Sequence, residues 1–358
     1  MSKARITISD VAREAGVALG TVSNALNHPD KVRPETLALV QETIDKLGYA
    51  PNQSARMLAG GHNTSFGLVL PSLSHGISLQ IANGANAEAR KHGYGLLIAN
   101  ADSDNDLGQK YVSYFAGTQM AGVLVQPIHT YGWKPSSAMR SLPTVWLDCD
   151  SEEPGYFVGA DAEAQGRLMA EHAIDCGARH VVVLGKDDLD KLGKRLAGIK
   201  QTMELNPDIV LEIIDEGAWD SAHDGYAIGF GLGKRESSKQ PDFIIALSDV
   251  LATGVIAGLQ ATGRNVPNDV RVAGCDGNPL AWSGSVPLTT IAPPGYEIGR
   301  KGVRYLIKQV EEKRRVGNAW PTENHREFVR PFLLARASTG VSGVTDFADP
   351  DIDISGYL

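Results

Sequence analysis

Ile8, Val11, Ala12 and Ala15 recur at i, i+3, i+4 and i+7, the spacing of one helical face, and Thr7 with Asp10 has the spacing of a capping box. This predicts a first helix. Gly16 follows as the residue most at ease at positive φ, and Val17 as a turn residue that fills the space between two helices. In a second, short helix Val22 and Leu26 point inward, which leaves Leu19, Gly20, Thr21, Ser23 and Asn24 on the outer side. A third amphipathic helix is signalled by Pro34 at a first helical position, by Leu37, Val40, Ile44 and Leu47 on one face, and by Gly48 as the stop. Beyond Tyr49 and Pro51 a helix-capable piece runs from Asn52 to Ala59 and ends in two glycines.

From Phe66 onward the pattern changes to short runs, FGLVL, GLLIA, GVLV, TVWL, HVVVL, FIIAL and VRVAG, apolar throughout as strands buried on both faces of a parallel sheet are. Helix-like stretches lie between them: Leu79 to His92, Ala162 to Asp175 and Leu251 to Thr262. This alternation predicts a doubly wound α/β architecture. The series is too long for one sheet and restarts near Tyr156, so two α/β lobes are expected.

The outer face of the second helix consists of small or hydrogen-bonding side chains, which suits a helix that must approach the floor of a major groove and touch base edges. Double-stranded DNA is therefore the expected macromolecular partner. The net charge of -8 alone argues against a polyanion, but residues 1–61 hold seven Lys and Arg against six Asp and Glu, a balance of +1 that leaves -9 for the remainder. So weak a positive charge implies feeble binding by one copy and dependence on a second. Lys3, Arg5, Arg13, Lys31, Arg33 and Arg56 are the candidate phosphate contacts.

Ligands settle at the carboxyl ends of strands in open parallel sheets. Polar residues stand there repeatedly: Ser72 and His75, Asn100 and Asp102, Asp187 and Asp188, Ser248 and Asp249, and Asp276. Such a ring of short acceptors fits a hydroxyl-rich ligand. Strand-end Asp and Ser also cap the following helix, and that reading claims about half of them. Cys149, Cys176 and Cys275 are odd in number and widely spaced, without disulfide or zinc patterning. The first residues lack an apolar signal core, and no run approaches the ~18 apolar residues of a membrane span, so a cytoplasmic protein without membrane contact is expected.

The order of these parts resembles the lactose-repressor (LacI/GalR) family of bacterial transcription regulators. The residues that carry the likeness are ISDVAREAGVALGTVSNALN, VRPETLALVQETIDKLGYAPNQSARMLAGG, and a core that begins FGLVLP and later gives GCDGNP and PLTTI. The resemblance spans about Ile6 to Thr339 and implies an α + α/β fold: an N-terminal three-helix helix-turn-helix headpiece with a hinge helix, then a two-lobed periplasmic-binding-protein-like α/β core. The implied boundaries are 1–50 for the headpiece, 51–63 for the hinge helix and linker, and 64–340 for the effector-binding and dimerisation core. Within the core the lobes are about 64–158 plus 292–320, and 159–291 plus 321–340. Residues 341–358, with four aspartates and no basic residue, are expected to form a disordered acidic tail without the heptad leucines of a tetramer-forming coil.

The implied function is repression of transcription from a palindromic operator by a homodimer under the control of a small sugar-like effector. The candidate DNA contacts are Thr7, Leu19, Gly20, Thr21, Ser23, Asn24, Asn27, Arg33, Tyr49, Asn52, Ala55 and Leu58. The family's hinge leucine, matched by Leu58, wedges into the minor groove at the operator centre. For the effector, Asp161, Arg195 and Asp276 match the family's acidic residue at the head of the second lobe, its ligand-binding arginine and its GxD acid; His75, Ile77, Ser248 and Asp249 complete the candidate set. Three departures stand out. His75, Gly76, Ile77 and Ser78 replace the usual aromatic segment after the first core strand, Ala18 replaces the serine cap of the second helix, and Asn24 stands where arginine is usual. Trp146, Trp219 and Trp282 are alternative sources of an aromatic wall.

Two other classes share the core pattern. A transport binding protein needs an export signal, and the headpiece argues against it. An α/β enzyme needs catalytic machinery, but the glycine-rich pieces near Gly93 and Gly229 are not nucleotide fingerprints, and no Ser-His-Asp, HExxH or paired-acid setting occurs. No cofactor, metal or catalytic residue is expected.

Overall fold

The computed structural model describes residues 6–49, 63–73, 75–127, 137–185, 190–216, 221–292, 294–317, 321–341 and 343–345. The chain divides into two units, Met1–Asn63 and Thr64–Leu358.

In the first unit α1 (Ile8–Ala15), α2 (Leu19–Asn27) and α3 (Pro34–Leu47) fall where the periodicity places them. The capping box is formed: the Asp10 amide donates to Thr7 Oγ1 at 3.3 Å, and the Thr7 amide donates back to Asp10 Oδ2 at 2.9 Å. Gly16 closes α1 at φ 66° and turns the chain into α2. Val11, Ala12, Val22, Val40 and Ile44 make a small core, with Val17 and Tyr49 packed against it. α2 starts from Ala18 without a side-chain cap, a loss of about 1 kcal/mol against serine.

The second unit is built on two sheets. The first has the order β11-β5-β4-β3-β1-β2 and is parallel throughout. Its strands are β1 (Ser65–Leu70), β2 (Gly95–Asn100), β3 (Gly122–Val125), β4 (Thr144–Leu147), β5 (Gly155–Ala160) and β11 (Asn324–Val329). The second has the order β13-β12-β10-β9-β8-β6-β7. It contains β6 (His180–Leu184), β7 (Val210–Ile214), β8 (Phe243–Ala246), β9 (Arg271–Cys275), β10 (Thr289–Ala292), β12 (Phe332–Ala335) and β13 (Gly343–Thr345). β12 and β13 run antiparallel to their neighbours; the remaining pairs are parallel.

Helices cover both faces of each sheet, as fully buried strands require. Residues of α4 (Gly76–Lys91) and α10 (Gly295–Val316) bury Ile81, Ala85, Ile298 and Leu306 against Phe66, Leu68 and Leu124, while α5 (Asn105–Gly117) puts Val112 and Phe115 against Val69 and Val123. In the second lobe α6 (Ala162–Asp175) and α7 (Asp190–Glu204) cover one face. α8 (Ala222–Gly233) and α9 (Asp249–Ala261) cover the other.

The chain crosses between lobes three times: after Ala160, after Ala292 and between Val329 and Phe332. The last crossing corrects the expected boundary near residue 320. β11 pairs with β5, so residues 324–329 belong to the first lobe, as does the whole of β5. For residues 343–345 the expected disorder is corrected too: Gly343–Thr345 adds an edge strand against β12, because Leu333–Ala335 still offers an open edge there. Residues 346–358 lie outside the described residues.

α4 and α10 also share a buried ion cluster. Glu88, 3% exposed, takes Arg304 Nε at 2.8 Å, Arg300 Nε at 3.3 Å and His92 Nε2 at 3.3 Å. Burial raises the Glu88 carboxyl, but the hydrogen bond and charge of Arg304, with Arg300 and His92, overcome it and hold the group at about 2. Because the pKa is depressed on folding, the stabilisation is full above the usual carboxylate range and is lost as pH falls through about 2. Glu88→Gln is expected to cost about 3 kcal/mol at pH 7 and far less at pH 2, read by denaturant unfolding at both values. Equal losses at the two pH values would contradict the assignment.

Candidate functional site

Two surfaces hold the sequence-derived candidates. On α2, Leu19 is 50% exposed and Asn24 and Gly20 face solvent, whereas Thr21 and Ser23 are half-buried and Val22 is fully buried. A side chain added at Gly20 meets nothing within 4 Å, so the outer face is flat at that point. Thr7 is committed to the α1 cap, Tyr49 leans on the headpiece core, and Arg33 is exposed at the start of α3. The side chain of Asn27, together with Lys3, Arg5, Asn52, Ala55, Arg56 and Leu58, lies outside the described residues.

The second group of candidates gathers around Arg195 on α7, on the side of the second lobe that meets the first. Only 2% of Arg195 is exposed. Its Nε donates to Gln165 Oε1 at 2.8 Å, and its Nη1 donates to the Leu247 carbonyl at 2.8 Å and to Asp276 Oδ1 at 3.2 Å. Close helix packing makes this reach possible: a Cβ on Gly166 of α6 would sit 1.9 Å from the Arg195 carbonyl oxygen.

Behind Asp276 lies Asp249, 1% exposed. Its Oδ1 accepts from Thr290 Oγ1 at 2.6 Å, and its Oδ2 accepts from the Asn278 amide at 2.6 Å. The Thr290 hydroxyl in turn accepts from the amides of Asp276 and Gly277 at 3.3 and 3.1 Å. Thr290 and Asp249 thus fix the 276–278 turn that aims Asp276. Burial, and then the Asp276 charge, push the Asp249 carboxyl up to about 7. Burial raises Asp276 as well, with the Arg195 charge opposing it.

The remaining candidates divide. Asp161 caps α6, accepting from the Ala164 amide at 2.9 Å, and Ser248 caps α9, accepting from the Leu251 amide at 3.2 Å. Both follow the capping alternative; Asp161 remains exposed and Ser248 is fully buried. Ile77 is 5% exposed, packs in the first-lobe core and lies beside Gly295. His75 immediately precedes α4, whose first residue, Gly76, abuts Asn278 of the opposite lobe. Trp146 stacks on Phe157 inside the first lobe, Trp282 lies under the Arg336 guanidinium at 4.7 Å, and Trp219, Asp187 and Asp188 fall outside the described residues.

Sequence reasoning missed Gln165, which accepts from Arg195, and Asp148, which accepts from Gln126 within its own lobe and from Lys191 across to the other. Gln126 and Asp148 directly follow the strands GVLV and TVWL, so the strand-end rule already used for other strands finds them. Lys191 stands one helical turn before Arg195, where i, i+4 spacing puts two residues on one face.

Residues 7–52 match the model of bacterial regulatory proteins of the lacI family, and residues 170–339 match a periplasmic binding protein-like domain. Catabolite control protein A of Staphylococcus xylosus is 30% identical over 316 residues, covering 86% of this chain and 93% of that protein. The chain belongs to the LacI family. The ribose operon repressor of Halalkalibacterium halodurans is 28% identical over 336 residues, covering 93% of this chain and 97% of that protein. The crystal structure of the lac repressor dimer bound to operator and the anti-inducer ONPF has the same fold, with a TM-score of 0.77 at 23% identity over 94% of this chain and 99% of that one. This LacI-family chain is a transcription regulator with a DNA-binding helix-turn-helix, not an enzyme. Among its described helices none is long and apolar enough to cross a membrane.

Proposed function

We propose that this LacI-family regulator is a repressor that binds a palindromic operator as a homodimer, and that a small hydroxyl-rich effector held between the lobes alters its operator affinity. The observation that carries this reading is the buried Arg195–Asp276 pair at the cleft of a chain whose headpiece exposes Leu19, Gly20 and Asn24. An arginine with a facing carboxylate supplies donors and acceptors to adjacent hydroxyls. Relatives named ribose operon repressor and a structural neighbour described as a CelR-cellobiose complex support a sugar-like ligand.

A second copy is supported by β2. It is an edge strand of its sheet, and Leu97 and Ile98, on opposite faces, are 46% and 47% exposed. An uncovered apolar edge of this kind invites a partner strand or surface. The charge of +1 over residues 1–61 makes the same demand, since one copy neutralises few phosphates.

On the operator, Asn24 is assigned to bridge N6 and N7 of an adenine, and Leu19 to rest on a thymine methyl, a reading that their exposure supports. Leu58 keeps its proposed role as the minor-groove wedge at the operator centre. The test is selection of random duplexes by the purified protein, repeated with sugars, polyols and nucleosides. A palindrome is expected, with recovery that one compound abolishes or enhances. In the same assay Asn24→Arg should change preference at one symmetric pair of positions by roughly tenfold or more. No enriched sequence under any condition would defeat the operator reading, and an unchanged profile for Asn24→Arg would defeat the adenine contact.

A further inference from the structure

The polar contacts across the cleft form a closed circuit. On the second lobe, α7 presents Lys191 and, one turn later, Arg195. Arg195 holds Asp276, and the carbonyl of the next residue, Gly277, accepts from Gln80 Nε2 of the first lobe at 2.5 Å. Gln80 lies on α4 two residues from Ser78, whose hydroxyl donates to Gln126 Oε1 at 2.8 Å. Gln126 Nε2 donates to Asp148 Oδ2 at 3.1 Å, and that same oxygen accepts from Lys191 Nζ at 2.9 Å. The path therefore leaves α7 at Arg195, crosses the cleft, follows α4 and returns across the cleft to α7 at Lys191.

We propose that Lys191 and Asp148 are a built-in latch that holds the two lobes closed without a ligand. The pair is well suited to the task. Asp148 is 7% exposed and Lys191 27%, so water and salt screen their attraction less than at an open surface. Asp148 sits at φ 54°, a left-handed conformation for a non-glycine residue, immediately after β4. Such backbone costs energy unless surrounding contacts hold it, and Asp148 gains two side-chain hydrogen bonds in return. A second bridge runs parallel: Lys194 Nζ meets Asp150 Oδ2 at 3.2 Å. Lys191 and Lys194, at i and i+3 on α7, thus engage Asp148 and Asp150 of the segment that follows β4. Ser78 and Gln126, 0% and 2% exposed, pass the position of Asp148 to the start of α4, the helix that touches the 276–278 turn at the far side of the cleft.

The latch has a consequence for any ligand: entry between the lobes competes with an intramolecular cation already on Asp148. It requires neither an operator nor a known effector, so its test is independent of both. Hydrogen exchange of the full chain, followed by mass spectrometry without added ligand, compares wild type with Lys191→Met, Asp148→Asn and the double variant. Segments 145–150 and 275–280 are expected to exchange about tenfold faster in each single variant, while β1 and β8 exchange as before. The double variant should be no faster than the faster single one, because one contact is lost in all three. Raising the salt to 1 M should speed the wild type by more than it speeds Lys191→Met, in which only the Lys194–Asp150 bridge is left to screen. Lys191→Arg keeps a cation within reach and should retain protection. Unchanged exchange in both cleft segments, additive effects in the double variant, or loss of protection in Lys191→Arg would each overturn the proposal.

Discussion

Arg195→Ala is expected to abolish the effector response and to cost the core about 3–5 kcal/mol, while operator binding by the remaining folded protein persists. The size follows from what the guanidinium satisfies. It is 2% exposed and serves a carboxylate, a side-chain amide oxygen and a main-chain carbonyl, all of which lose their donor together. Unpaired buried acceptors cost more than the net worth of the bonds they made, and the Asp276 carboxylate is the most expensive. The headpiece core of Val11, Val22 and Val40 does not include this site, so its reading face should be unaltered. Denaturant unfolding gives the stability, and operator titration with and without the selected effector gives the response. A variant that still responds normally would remove Arg195 from the effector site.

Gly166→Ala should be nearly as damaging through one methyl group. The added Cβ would lie 1.9 Å from the Arg195 carbonyl oxygen, a main-chain atom that moves only if α7 moves. Overpacking of this kind costs roughly 1–3 kcal/mol, and here the displaced element carries Arg195, Lys194 and Lys191. The expected result is a lower unfolding midpoint together with weakened effector binding. Gly231→Ala is the matched control: it lies in α8, and an added Cβ there meets nothing within 4 Å. That change should be neutral or stabilise by up to about 1 kcal/mol. Equal behaviour of the two variants would refute the close α6–α7 contact.

Much of the architecture could be read because the physical signals were local. The 3.6-residue period set α1 to α3, and Gly16 and Gly48 ended helices where left-handed backbone was needed. Continuous apolar runs located β1, β3, β4, β6, β8 and β9, since burial on both faces leaves no polar position; β2 has such a run as well, yet it is an exposed edge strand, against the expected burial. β7 and β11 escaped because VLEII and NHREFV, both edge strands, mix charged and apolar residues, as half-solvated strands do. The missed β11 displaced the last lobe boundary.

The cleft was less legible because its contacts join residues far apart in the chain. Lys191 and Asp148 are 43 positions apart and Gln80 and Gly277 are 197 apart, distances at which periodicity says nothing. Arg195 was accessible through its family match, whereas Asp249 gave no sign that it would be buried behind Asp276 instead of facing a ligand. Asp161 and Ser248 show why a strand-end polar residue is ambiguous: the same oxygen that suits a sugar also suits an orphan helix amide.

The three crossings set the order in which this chain can mature as it leaves the ribosome. The headpiece core is complete once Tyr49 has emerged, because all of its partners lie within one short stretch. The first lobe must wait far longer. Its sheet begins at Ser65, yet α10 and β11, which cover one face and extend one edge, are made only near residues 295–329. Until then Leu68, Ile81 and Leu124 lack Ile298 and Leu306, and synthesis of the whole second-lobe insertion passes with that apolar face uncovered. The helix-turn-helix end can therefore be finished first and the two-lobed core last, and in the interval the uncovered apolar face is a surface on which the nascent chain can aggregate.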